Sequence, residues 1–402
     1  MTETALPLAG IRVLDVATFI AAPYAAAILG EFGAEVIKLE QPGKGDTFRH
    51  FGSITERDGD SLMWLSEARN KTSITLDLRQ AEGKELFLKL VAKADVVAEN
   101  FRPGTLEKWG LGWEDLSKVN PGLILLRISG YGQTGPYRDR PGFARIAHAF
   151  GGLSYLAGLP GGVPVTPGST SLADYMSGLY GAIGILVALR HRDATGQGQV
   201  VDLALYESVF RALDEIAPAF AMFGKQRERE GAGTVNACPH GHFRCADGAW
   251  IALACTTDRM FARLCEAMHR PELAQDGVWG LLRRRLAERS AVDALVTAWT
   301  EARSRDEVMR LCLDFEVPAA PLNSIADIFA DPHFQARENL VSVNDAVLGE
   351  VVVPGVVPKL SASPGRVDHL GPRLGDGNER IYGELLGLSA ADIAELRKKG
   401  VI

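Results

Sequence analysis

The chain is poor in the features that staple, anchor or steer a protein toward special partners. Its five cysteines (Cys238, Cys245, Cys255, Cys265 and Cys312) are odd in number and contain no C-x-x-C pair, so neither a disulfide framework nor a zinc site is expected. A reducing cytoplasm is the simplest compartment for such a set. No basic N-terminal segment leads into an apolar stretch, and no run of roughly 18 apolar residues occurs, so neither signal peptide nor membrane span is expected. The balance of 43 basic against 50 acidic residues, a formal net charge of -7, argues against nucleic acid or an anionic membrane as main partner and leaves room for a local basic patch for a phosphorylated ligand. There is no G-x-G-x-x-G after the first strand, no G-x-x-x-x-G-K-[ST] and no G-x-S-x-G, which removes the main support for a nicotinamide dehydrogenase, a P-loop NTPase or an α/β-hydrolase. Of eight histidines only His240 and His242 are close together, and no metal is expected.

What is present is length and alternation. A chain of 402 residues is expected to form two domains. The first 130 residues alternate as α/β units do: strand Ile11–Asp15, helix Pro23–Phe32, strand Glu35–Leu39, helix Glu82–Lys93, strand Asp95–Glu99, a helix around Glu114–Lys118 and strand Leu123–Ile128. That order predicts an open, mostly parallel, doubly wound sheet. After a Gly-rich segment come a long helix, about Asp174–Arg192, and a strand, Gln199–Leu205. The character changes near Gly224, where a charged linker leads into the region holding all five cysteines. Strand Trp250–Cys255 with helices around Arg259–Met268, Val292–Ala302 and Arg305–Phe315 predicts a smaller α+β domain over 224–322. Segment 323–375 reads as an extended connection with edge strands, and a terminal helix spans Ala390–Lys399.

The stretch Ser171-Leu172-Ala173-Asp174-Tyr175-Met176-Ser177-Gly178 places a lone carboxylate at the head of the long helix. Ser177, Gly181, Gly184 and Ala188 form a small-residue stripe behind it, where another backbone or a ligand can approach. The helix dipole favours the ionised form, so Asp174 is expected to stay a charged nucleophile at neutral pH. An Asp at such a place is more commonly a helix cap or a solvated residue. Gly43-Lys44-Gly45-Asp46 has the composition of a phosphate-wrapping loop and equally of a plain turn.

Five ordered segments carry a resemblance: Gly10–Asp15, Phe32–Gly43, Asn70–Ile74, Glu99–Gly104 and Gly130–Tyr137 resemble the class III CoA-transferases, the family of formyl-CoA and carnitine CoA-transferases. The ending Pro372–Gly375, Leu386–Ser389 and Gly400–Ile402 is also similar. This resemblance implies that Asp174 is the catalytic nucleophile, attacking the thioester carbonyl of an acyl-CoA to give a mixed anhydride and then an aspartyl-CoA thioester. It implies a CoA site from Leu76, Arg79, Asn100, Phe101, Arg102, Lys108, Gly142 and Phe143, with CoA thioesters as substrates rather than a resident cofactor. It also implies an interlocked homodimer, with a large domain of 1–223 to which 376–402 return.

Departures from the formyl branch shape the substrate expectation. Ile20 stands where that branch has glutamine, Gln41 replaces the arginine before Pro42, and no glycine-rich flap occurs over 236–255. Arg145 adds a cation near the expected site, which suits a substrate with a second carboxylate. The expected donor is succinyl-CoA, and the acceptor is malate-like, citramalate-like or itaconate-like. The rival within the superfamily is an acyl-CoA racemase, which needs a histidine at Phe143, and phenylalanine cannot take a proton. A non-catalytic CoA-binding protein is the alternative from another class.

Overall fold

The computed structural model describes residues 6–402, which divide into two compact units. The first comprises the described residues up to Leu153 together with Gly168–Asp214 and His333–Ile402. Its centre is a six-stranded sheet of β1 (Arg12–Asp15), β2 (Glu35–Glu40), β3 (Lys71–Thr75), β4 (Val96–Glu99), β5 (Ile124–Ser129) and β6 (Gln199–Ala204) in the order β3-β2-β1-β4-β5-β6. Every pairing is parallel. The helices that matter here are α1 (Ala21–Glu31), α2 (Ala81–Val91), α3 (Ala144–Phe150), α4 (Leu172–Thr195) and α5 (Leu205–Arg211).

Both faces of the sheet are covered, so its central strands read as unbroken buried runs. Successive side chains point to opposite faces. Val13, Val96 and Ile124 pack with the alanines of α1 and with Ala182 and Ile185 of α4. Leu14, Val97 and Leu125 pack with Leu86, Phe87 and Leu90 of α2 and with Ile393, Val401 and Ile402 from the chain end. The Val401 carbonyl accepts the Asp77 N–H at 2.8 Å.

The small-residue stripe of α4 serves this packing. A Cβ on Gly178 would sit 2.8 Å from the Ala21 carbonyl oxygen, and one on Gly184 would sit 2.7 Å from Val201. Absent side chains there let α4 approach α1 and the sheet, rather than admitting a ligand. By length and hydropathy α4 is apolar enough to cross a membrane, but one of its faces is core and the other carries exposed Leu179, Ile183, Leu186 and Val187.

The second unit takes Ser154–Pro167 and Glu215–Pro332. It holds α6 (Ile216–Phe223), a three-stranded antiparallel sheet of β7 (His240–Arg244), β8 (Trp250–Ala254) and β9 (Ala319–Pro321), and helices α7 (Asp258–Ala267), α8 (Arg289–Glu301) and α9 (Arg305–Asp314). All five cysteines are free and buried, packed as small apolar side chains among Phe261, Leu264 and Val296. The sequence boundaries at 224 and 322 are displaced: the unit begins at Glu215, ends at Pro332 and recruits the Gly-rich 154–167.

Nor is 323–375 simply extended. A reciprocal Ser324–Asp327 capping box starts a helix over Ile325–Ala330. An antiparallel hairpin follows, β10 (Leu340–Asp345) and β11 (Gly349–Pro354). Asp345 nucleates its turn by accepting the Val347 and Leu348 N–H groups. The terminal helix, α10, spans Ala390–Lys398 and begins with another capping box, Ser389 with Asp392.

Candidate active site

In an open parallel sheet the chain leaves neighbouring strands in opposite directions at one point, and the loops part there to form a crevice. In this sheet that point lies between β1 and β4. The loop after β1, Val16–Ile20, and the loop after β4, Asn100–Pro103, form its walls. Asn100 joins them: its Oδ1 accepts the Thr18 N–H at 2.8 Å, and its Nδ2 donates to the Thr18 carbonyl at 2.6 Å. The amide of Asn100 is thus committed to holding the wall. The next residue, Phe19, is held at a φ of 61°, and its amide donates to Asp46 at 3.3 Å.

Beneath this loop lies a buried charge network. Lys38 and Lys71, each about 1% exposed, share Asp15, with Nζ to carboxylate distances of 3.6 and 2.9 Å. Lys38 also pairs with Asp46 at 3.0 Å and donates to the Ala17 carbonyl. Burial opposes its charge, yet Asp15 and Asp46 outweigh burial and hold its ammonium above the ordinary range. Removing one member would leave the others buried and unpaired, which typically costs several kcal/mol, on the order of 3 to 5. The network therefore fixes the wall of the crevice.

The crevice opens into a cavity of about 220 Å³ in which Asp174 faces Ile20, Asn100, Phe101, Gly130 and Gly142. Thr18 and Phe101 also line a second cavity, of about 320 Å³, with Leu76, Asp77, Arg79, Gly45 and Trp109. The two cavities run along the C-terminal ends of the strands. The Phe101 ring packs edge-on against Trp109 at 5.4 Å, and its N–H donates to Glu99 at 2.6 Å. Glu99 is pushed up to about 7 by burial, against the opposing pull of Arg127.

Asp174 is half-buried in the first turn of α4. Desolvation pushes its carboxyl up to about 7, the reverse of what the helix dipole alone predicts. Among the described residues no charged partner offsets that burial. At neutral pH both protonation states are populated, and the ionised form is a poorly solvated and hence reactive carboxylate.

The other expected site residues divide. Leu76 is buried in the wall of the second cavity, and Ile20 in that of the first. Gly142 lies so close to Gly130 that a Cβ on it would be 2.8 Å from the Gly130 Cα. Phe143 is 69% exposed at the cavity mouth, edge-on to Phe19 at 6.4 Å. Arg79 lines the second cavity, but its guanidinium already grips Asp77 through two bonds of 2.8 and 2.9 Å, which draws the Asp77 carboxyl down to about 2. Lys108 is exposed at the end of a four-residue helix and lines neither cavity.

Arg145 is exposed on α3 and does not line the Asp174 cavity either. The arginines that do are Arg102 and Arg140. Sequence reasoning passed over Arg140, whose guanidinium lies 3.6 Å above the Tyr137 ring. Aromatic and arginine spaced three apart in Tyr137-Arg138-Asp139-Arg140 was the available signal. Among the described residues no cluster of three histidine, cysteine or acidic side chains is placed to hold a metal.

Comparison with known proteins gives this site a setting. Residues 8–378 match the model of CoA-transferase family III. The chain is 61% identical over 397 residues to the succinyl-CoA--L-malate CoA-transferase alpha subunit of Chloroflexus aurantiacus, covering 99% of this chain and 93% of that one. It is 44% identical to the succinyl-CoA--D-citramalate CoA-transferase of the same organism, covering 98% of each. Among solved structures, a CAIB/BAIF family protein from Brucella suis superimposes with a TM-score of 0.84 at 35% identity, over 95% of this chain and 100% of that one.

Proposed function

Because the chain belongs to CoA-transferase family III, we propose that it moves coenzyme A from succinyl-CoA to a small hydroxy-dicarboxylate, malate first and citramalate second, with Asp174 as nucleophile. The observation that carries the reading is the desolvated carboxylate of Asp174 in the cavity at the switch point of the sheet. In the first half-reaction its oxygen attacks the thioester carbonyl, and the C–S bond breaks to give a succinyl-aspartyl anhydride and CoA thiolate. The thiolate then attacks the Asp174 carbonyl, releasing succinate and leaving an aspartyl-CoA thioester. The acceptor carboxylate attacks that thioester in turn, and the returning thiolate takes the acceptor's acyl group and frees Asp174.

The CoA chain is proposed to run from the second cavity, past Phe101 and Thr18, into the first. Gly130 and Gly142 bring backbone close to the reacting carbonyl, where amide donors steady the oxyanions. We place the distal carboxylate of the substrate on Arg140, which stacking on Tyr137 preorganises, and not on Arg145. Arg140 is exposed, so it would favour dicarboxylic acids by the added charge-assisted bond to a second carboxylate, which monocarboxylic acids cannot make. Two copies of the chain are proposed to interlock, since exposed Leu179, Ile183 and Val187 on α4 and Phe220, Met222 and Phe223 on α6 are apolar surfaces suited to a partner.

The test is a panel of acyl-CoA donors and carboxylate acceptors followed by mass spectrometry, with hydroxylamine added to the enzyme and succinyl-CoA. Succinyl-CoA with malate should lead the panel, and hydroxylamine should mark Asp174. A mark found only on another carboxylate, or preferential use of monocarboxylates, overturns the reading.

A further inference from the structure

The first turn of α4 has no side-chain cap of its own, since Ser171 at its N-cap makes no such bond. The cap comes from another helix. His148 on α3 is 1% exposed, and its Nε2 accepts the N–H of Ala173 at 2.9 Å. Ala173 immediately precedes Asp174, whose own N–H donates to the Ser171 carbonyl at 2.9 Å. An imidazole nitrogen accepts only when it carries no proton, so the bond requires the neutral ring with its proton on Nδ1. That Nδ1 is buried and has no partner among the described residues.

We propose that His148 is a positioning residue for Asp174: as the neutral Nδ1–H tautomer it caps the first turn of α4 from outside and thereby fixes the aim of the nucleophilic carboxylate. The inference rests on Asp174 being the nucleophile. Protonation of His148 abolishes the acceptor and turns Nε2 into a donor facing the Ala173 N–H. Cap and nucleophile then fail together in acid.

The surroundings favour the neutral ring. Burial, and after it Arg145 on the same helix, lowers the His148 pKa from its ordinary value. On α4 the titratable side chains next in sequence to the bonded amide are Asp174 and Tyr175. From α5, which also packs on α3, the inward residues are Leu205, Ser208 and Val209. Of its remaining titratable side chains, Tyr206 is taken up by the Phe150 ring at 4.9 Å, Glu207 accepts the Ala204 N–H at 2.9 Å, and Arg211 is exposed.

The experiment compares His148→Ala and His148→Gln with the wild type, using succinyl-CoA and malate. Glutamine supplies a carbonyl oxygen that accepts the Ala173 N–H and cannot be protonated. Losing the aim of the carboxylate should lower kcat of the alanine variant on the order of a hundredfold while KM for succinyl-CoA changes little. The glutamine variant should recover most of that loss. The acid limb of log kcat against pH should steepen toward a slope of two in the wild type, as His148 protonates after Asp174, and hold at one in His148→Gln. An alanine variant with unchanged kcat, or a limb of slope two in the glutamine variant, overturns the proposal. If the alanine variant is insoluble, the glutamine profile decides alone. Hydroxylamine labelling of Asp174 in the wild type separates this outcome from failure of the nucleophile itself.

Discussion

Replacing Asp174 by asparagine should abolish transfer and at the same time stabilise the fold, in a pH-dependent way. The carboxyl rises from an ordinary 3.8 to about 7 because it is desolvated. Such a rise corresponds to at most about 4 kcal/mol, and the residue keeps part of its surface in solvent, so about 2 kcal/mol is the expected size after screening. The sign follows from proton binding. Between pH 4 and 7 the folded protein holds a proton on Asp174 that the unfolded chain has lost, so stability contributed by this site falls as pH rises through that window and is lowest above 7. Asparagine does not titrate. Urea midpoints should therefore favour Asp174→Asn by about 2 kcal/mol at pH 8, with the difference shrinking toward a constant offset at pH 4. Wild-type kcat/KM should rise with pH through about 7 as Asp174 ionises. A variant whose stability relative to wild type is the same at pH 4 and pH 8 would refute the desolvation argument.

Other substitutions test the rest of the site. Arg140→Ala should raise KM for malate on the order of tenfold, the loss of one charge-assisted bond, and narrow the preference over butyrate, whereas Arg145→Ala should leave acceptor kinetics unchanged; steady-state assays with both acids distinguish them. Arg79→Ala should weaken CoA more than dephospho-CoA in calorimetric titrations, while Lys108→Ala should alter neither. Gly142→Ala drives a methyl group into the Gly130 backbone and should cost about 1 to 3 kcal/mol of stability in urea melts, with a fall in kcat as the mouth of the cavity shifts.

Most of the large sheet was legible because its strands and helices alternate with clean apolar periods. The strand β3 was not. Its Lys71-Thr72-Ser73-Ile74-Thr75 looks like a polar turn, and only the fold reveals that Lys71 turns inward to Asp15 and that Ser73 bonds Glu40. Local pattern carries no sign of a charge neutralised by a residue 56 positions away. The same limit applies to His148, a lone histidine in a helix whose partner amide lies 25 residues on. Boundaries failed where chemistry is local but quiet: the Ser324–Asp327 cap starts a helix inside a stretch that its prolines and valines make look extended.

Two opposing effects act on the Asp174 carboxyl. A helix N-terminus does favour a carboxylate's charge, but the effect is worth about 0.3 to 1 kcal/mol at exposed sites, less than the cost of burying the same charge. Position in sequence reports the first effect and hides the second, because desolvation comes from burial in the folded chain, where Asp174 shares a cavity with the loops after β1 and β4 and with Gly130 and Gly142. Those loops meet only because the strand order reverses between β1 and β4, and the buried Lys38–Asp15–Lys71 network beneath them holds one wall still. The raised carboxyl is therefore a property of the topology. A carboxyl raised to about 7 and poorly solvated when ionised suits the proposed reaction, in which it would attack a thioester and later leave an anhydride.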